Sequence, residues 1–177
     1  MNKPAISLTV DCLVSDEQWR IELPNLEEIS QNVVNLVLEN SLRNLKASQD
    51  VEVSITLMND AEIRELNDDH RDEDKATNVL SFPTYEPGEL DSVSDINIPA
   101  GMPLILGDII VALETTLREA ELENKKLHDH FCHLVMHGCL HLLGFDHEDD
   151  GEAEEMETLE TQLLQELGIA NPYKSGL

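Results

Sequence analysis

The stretch VEVSITL, residues 51 to 57, alternates strictly, with Val51, Val53, Ile55 and Leu57 on one side and Glu52, Ser54 and Thr56 on the other. A repeat of two is that of an extended strand with one face in the core. Upstream, Ile6, Leu8 and Val10 alternate in the same way, and Pro24-Asn25 then opens a run at helical spacing whose stripe is Leu26, Ile29, Val33, Leu36 and Val37. Downstream, Asn59-Asp60 caps a short helix with Ile63 and Leu66, and DDHRDEDKAT, residues 68 to 77, reads as a polar surface loop. NVLSF, residues 78 to 82, is the next strand.

Between Pro83 and Pro103 the chain is irregular and acidic, a flap or a mobile insertion at about 84–103. Leu104 to Val111 is a buried strand in which Gly107 permits close backbone approach. Three helices follow. The first covers about residues 113 to 125 and the second begins near Leu127. The third sets Met156, Leu159, Leu163 and Leu167 on one face before Gly168, with Glu152, Glu154, Glu155 and Glu157 near its start, where acids suit the helix dipole. With no repeat and no linker between halves, the expected fold is α+β: one domain over 1–177, a small mixed sheet packed by helices.

A chain of 177 residues with 41% hydrophobic content builds one ordinary core, and with only 3% aromatics that core rests on Leu, Ile, Val and Met. The formal net charge of −26 repels phosphate backbones and anionic membranes over long range, so any RNA bound must be held by a local cation or metal. Cys12, Cys132 and Cys139 form no CxxC pair and leave an odd thiol, which points to a reduced compartment. The opening MNKPAISLTVDCLVSDEQW shows no charged region followed by an apolar one, and no run of about 18 apolar residues occurs. A cytoplasmic protein that neither crosses nor binds a membrane is expected.

HGCLHLLGFDH, residues 137 to 147, carries the chemistry. On a helix His137 and His141 share a face and can aim at one point, about 2.0–2.1 Å from each nitrogen. Gly144 sits where a left-handed residue ends the helix, and the turn after it returns His147 as the third ligand. Three imidazoles without a nearby fourth ligand suit a catalytic zinc with an open position for water, one ion per chain at the end of a helix. Nickel and copper fit the same donors, and a fourth ligand from elsewhere would make the site structural. Such an ion lowers the pKa of bound water toward 7 and polarises a phosphoryl oxygen.

The spacing is that of HExxHxxGxxH zinc proteases, but Gly138 stands where those enzymes carry their general-base Glu. In detail the segment resembles the HGxLHLxGYDH signature of the YbeY family, metal-dependent endoribonucleases that mature ribosomal RNA, with Phe145 in place of Tyr. RDEDKATNVLSFP at 71 to 83 is similar to the family's Arg-containing loop and following strand, and LGDIIV at 106 to 111 is a third block. The similarity covers roughly residues 51 to 82 and 104 to 173. It implies a four-stranded sheet and single-strand-specific cleavage in 16S ribosomal RNA 3′-end maturation and ribosome quality control. The implied partners are single-stranded ribosomal RNA, the ribosomal subunit and its assembly proteins, with no DNA.

Arg71 matches the family's functional Arg, and its guanidinium suits a phosphate oxygen or charge developing at phosphorus; the alternative is an ion pair with Asp68, Asp69 or Asp72. Lys75 adds phosphate attraction or is merely solvated. Asp146 orients an imidazole or takes a proton, or else it stabilises the turn. His130 and His133 favour packing or hydrogen bonding, and Cys139, off the histidine face, favours the core. Attack by activated water leaves a 5′-phosphate, attack by the ribose 2′-OH a 2′,3′-cyclic phosphate, and the sequence leaves both open. Two rival readings are a metallopeptidase with an unorthodox base and an assembly factor with a purely structural metal.

Overall fold

The computed structural model describes residues 6–45 and 49–174. Strand β1 (Ser7–Val14) is followed by the short helix α1 (Gln18–Glu22), α2 (Leu26–Ser41), β2 (Asp50–Met58), α3 (Asp60–Arg71) and β3 (Val79–Pro83). A 3-10 segment (Glu89–Asp95) precedes β4 (Leu104–Ala112), α4 (Leu113–Leu122), α5 (Leu127–Leu142) and α6 (Asp150–Glu166). The sheet runs β1-β2-β4-β3, with the first three strands parallel and β3 antiparallel to β4. The expected α+β fold with a four-stranded mixed sheet is what the chain forms.

The alternation in β2 has its anticipated result. Val51, Val53, Ile55 and Leu57 are fully buried while Glu52, Ser54 and Thr56 are half-buried on the opposite face. α2 and α5 pack together under the buried face. α3 covers only the β3–β4 half of the other face, where Ile63, Leu80, Ile110 and Ala112 form a second small cluster. α5 lies at the centre of the molecule, with Phe131, Val135, Met136, Cys139, Leu140 and Leu142 all inaccessible or nearly so. A helix buried on most of its circumference leaves one polar strip, and here that strip holds His133, His137 and His141. Among the described residues no helix is long and apolar enough to cross a membrane.

Three stretches differ from the sequence reading. Asp68 to Arg71 are the last turn of α3, not loop. A capping box between Asn59 and Glu62 starts this helix, and Asp72 in the left-handed conformation (φ 54°) ends it. Buried Asn67 donates to the Lys75 carbonyl at 2.9 Å and folds the polar stretch back on the helix. α1 was not anticipated, because five residues lack autonomous helicity. It exists because Trp19 is driven fully into the core against Phe131, with its indole N–H on the Met58 carbonyl at 3.0 Å. The acidic stretch 84–103 buries Leu90 and Val93 in the main core and keeps Glu86, Glu89, Asp91 and Asp95 outside.

Candidate metal centre

The last turns of α5 place His137 and His141 one above the other, ring centroids 4.6 Å apart and their Nε2 atoms 3.1 Å apart. The helix then stops at Leu143. Gly144 takes φ 93°, its N–H donates to the His141 carbonyl at 3.0 Å, and the Phe145 N–H reaches the Leu140 carbonyl at 3.1 Å. These are the paired bonds of a Schellman terminus, which needs glycine at this position. The reversed chain is tightened by Asp146, whose Oδ1 accepts from the His147 N–H at 2.8 Å. The His147 ring returns to within 5.8 Å of His137 and 5.1 Å of His141.

One ring nitrogen from each of the three histidines lies within 4.8 Å of the others, and among the described residues no fourth His, Cys, Asp or Glu joins them. Two nitrogens at 2.0–2.1 Å from a tetrahedral ion stand about 3.3 Å apart, so the His137–His141 pair is already spaced as ligands are. Ligation needs unprotonated imidazoles. Burial lowers the pKa of His141, and the neighbouring His137 and His147 lower it further, which keeps its lone pair available. The trio fits a divalent metal with an open coordination position.

Behind the trio stands a residue that the sequence reading passed over. Glu160 of α6 is completely buried, and its Oε1 accepts from His137 Nδ1 at 2.6 Å. Burial alone would raise its pKa. Hydrogen bonds from His133 and His137, the His137 charge and the Tyr173 hydroxyl more than reverse this and hold it at about 2. Its one sequence signal is an acid inside the apolar stripe of Met156, Leu159 and Leu163. His130 bonds Glu119 at 2.7 Å, and Cys139 is fully buried with its thiol pushed up to about 12 by burial.

A cleft of about 370 Å³ opens over the histidines, and Arg71, Asn78, Ser81, Asp146 and His147 share its walls. Arg71 reaches it because α3 extends to that residue. The alternative ion pairs with Asp68, Asp69 or Asp72 do not form, and among the described residues it has no carboxylate partner, whereas Arg64 is taken by Asp74 at 2.6 Å. Lys75 pairs with Glu73 at 3.1 Å and is not part of the cleft wall. Asn78 and Ser81, both unremarked in the sequence, are held by Glu119 and by the Gly138 carbonyl.

The family model described as Endoribonuclease YbeY matches residues 13–168. The chain belongs to the YbeY family. Similar YbeY relatives include one from Azorhizobium caulinodans, 48% identical over 94% of this chain and 96% of its own length. Another, from Bradyrhizobium diazoefficiens, is 43% identical over 98% of this chain and 88% of its own. Both are described as Endoribonuclease YbeY. The solution structure of a Thermotoga maritima protein is also similar, with a TM-score of 0.56 and 25% identity, covering 94% of this chain and 99% of that one.

The fold also explains why this YbeY chain carries Gly138 where zinc proteases carry Glu. A Cβ there would stand 2.8 Å from Ile109 Cγ2 and 3.2 Å from Ser81 Oγ, because α5 presses on β4 at this point. Gly138→Glu is therefore expected to lose about 2–3 kcal/mol of stability in a urea melt, from overpacking and a carboxylate turned toward the sheet, and to gain no peptidase activity. A variant as stable as the parent would show that the contact yields.

Proposed function

We propose that this chain is a zinc-dependent endoribonuclease that cleaves single-stranded ribosomal RNA in the cytoplasm, acting in 16S 3′-end maturation with the ribosomal subunit and its assembly proteins as partners. The family assignment supports the reaction class. One observation supports this site for it: the guanidinium of Arg71, without a carboxylate partner among the described residues, shares one cleft with three converging imidazoles and the Asp146 carboxylate. His137, His141 and His147 would hold one divalent ion per chain. When bound, that ion supplies Lewis acidity toward a phosphoryl oxygen and lowers the pKa of water toward 7.

The chain's own groups do the rest. Arg71 binds a non-bridging phosphate oxygen through two N–H donors and stabilises charge that builds there during displacement. Asp146 holds the His147 loop through Oδ1 and serves as the carboxylate that takes a proton from the attacking hydroxyl. With a net charge of −26 the protein has no long-range attraction for the strand, so recognition concentrates in this cleft.

The test is cleavage of a single-stranded RNA by protein of measured metal content, beside a chelated sample and an unfolded peptide. RNA alone should be cut, and only by metal-loaded protein. Arg71→Ala should keep its metal and lose about 10²–10³-fold in kcat/KM, the usual cost of one transition-state donor. Normal cleavage by that variant would remove Arg71 from the reaction. Full metal occupancy with neither substrate cut would leave the assembly-factor reading in place of the nuclease.

A further inference from the structure

The chain has 37 acidic residues, and among the described residues Glu160 is the only one that is buried. Burying a carboxylate is unfavourable unless its lone pairs are met. Here they are. Oε1 lies 2.6 Å from Nδ1 of His137, Oε2 accepts the hydroxyl of Tyr173, and Nε2 of His133 stands 3.3 Å from Oε2 and 3.2 Å from the Tyr173 oxygen, between the two. Tyr173 lies beyond the end of α6 and is itself pinned. Its backbone N–H donates to Asn171 Oδ1 at 2.8 Å, and its ring packs edge-on against His133 at 5.5 Å.

We propose that Glu160 is a positioning residue of the metal centre, holding His137 as the Nδ1–H tautomer so that Nε2 offers its lone pair beside His141, and that Tyr173 holds Glu160 in turn. An imidazole has one proton when neutral, so placing it at Nδ1 frees Nε2. The opposite tautomer would aim an N–H at the place where His141 and His147 converge. Residues 171 to 173 are then part of the metal site, although none of them touches the cleft. The inference rests on the reading of the trio as a metal centre and adds what makes it ready for the ion.

The full-length protein is titrated with zinc against a competing chelator, and the His137 tautomer is read in the metal-free protein by long-range 15N–1H correlation. Metal-free parent should show His137 protonated at Nδ1. Glu160→Gln, whose amide can either accept from or donate to Nδ1, should show mixed tautomers and bind zinc about 10–100-fold more weakly. Tyr173→Phe, which removes one hydroxyl near the surface, should weaken zinc about fivefold. A merely structural role would lower the melting temperature of both variants and leave zinc affinity and tautomer unchanged, which would overturn the proposal. If Glu160→Gln does not fold, an Nε2–H tautomer in the parent, or unaltered zinc affinity in Tyr173→Phe, overturns it as well. A parent that takes up zinc but cuts no RNA refutes the nuclease reading and leaves this one standing; a parent that takes up none refutes both.

Discussion

Replacing His141 with alanine is expected to abolish zinc uptake and RNA cleavage together, with activity reduced by at least about 10³-fold toward that of chelated protein. His141 is the middle of the trio. Its Nε2 lies 3.1 Å from that of His137, and its ring is within 5.1 Å of His147, so without it the two outer imidazoles face an ion from one side only. The fold should survive, because His141 is half-buried on the polar strip of α5 and its ring bonds only locally, to the Phe145 backbone in the turn that follows. A thermal melt separates loss of site from loss of fold. At zinc a hundred times its dissociation constant the parent gains about 2.7 kcal/mol, roughly 5–10 °C for a domain of this size, and chelation removes that gain. His141→Ala should melt near the metal-free parent and show no zinc-dependent shift. A variant that still shifts with zinc and still cuts RNA would place the metal elsewhere.

What the sequence showed was whatever is encoded locally. VEVSITL declares its face through a repeat of two, and HGCLHLLGFDH declares three converging histidines because helical spacing and one glycine fix the geometry within eleven residues. Arg71 was found through family resemblance, but its placement was misread. The polar run 68 to 77 looks like loop, and only the capping box at Asn59 and the buried Asn67 carry α3 on to Arg71. Without that extra turn the guanidinium would have no fixed place beside the histidines.

Glu160 was missed for the opposite reason. Its partners are far along the chain, His137 by 23 positions and His133 by 27, and an acid in an apolar stripe reads as an interruption. Trp19 and Leu90 share this cause: each is buried by distant elements, so nothing in its neighbourhood predicts the short helix around it. Contacts across the fold, not local preference, decide these places.

Gly107→Ala is expected to cost about 3–5 kcal/mol. Two independent terms add. Gly107 has φ 136°, a region that residues with a Cβ rarely adopt, and a Cβ built on it would stand 2.2 Å from the Phe82 carbonyl oxygen and 3.0 Å from Pro83 Cα. These are backbone atoms of the neighbouring strand and cannot swing aside. The conformation is imposed by a bulge in β4, where the pairing with β2 jumps from Glu52–Ile105 to Val53–Gly107 and skips Leu106. The same glycine lies against Leu142, the last residue of α5 and the one after His141, so a shift here also moves the helix end that carries His137 and His141. In urea the midpoint should fall without a change in slope, with a melting temperature lower by roughly 6–20 °C. Zinc affinity should fall as well, even though the residue is in the sheet. A loss below about 1 kcal/mol would mean that β3 can retreat from the bulge, and then the sheet edge beside the cleft is softer than its packing implies.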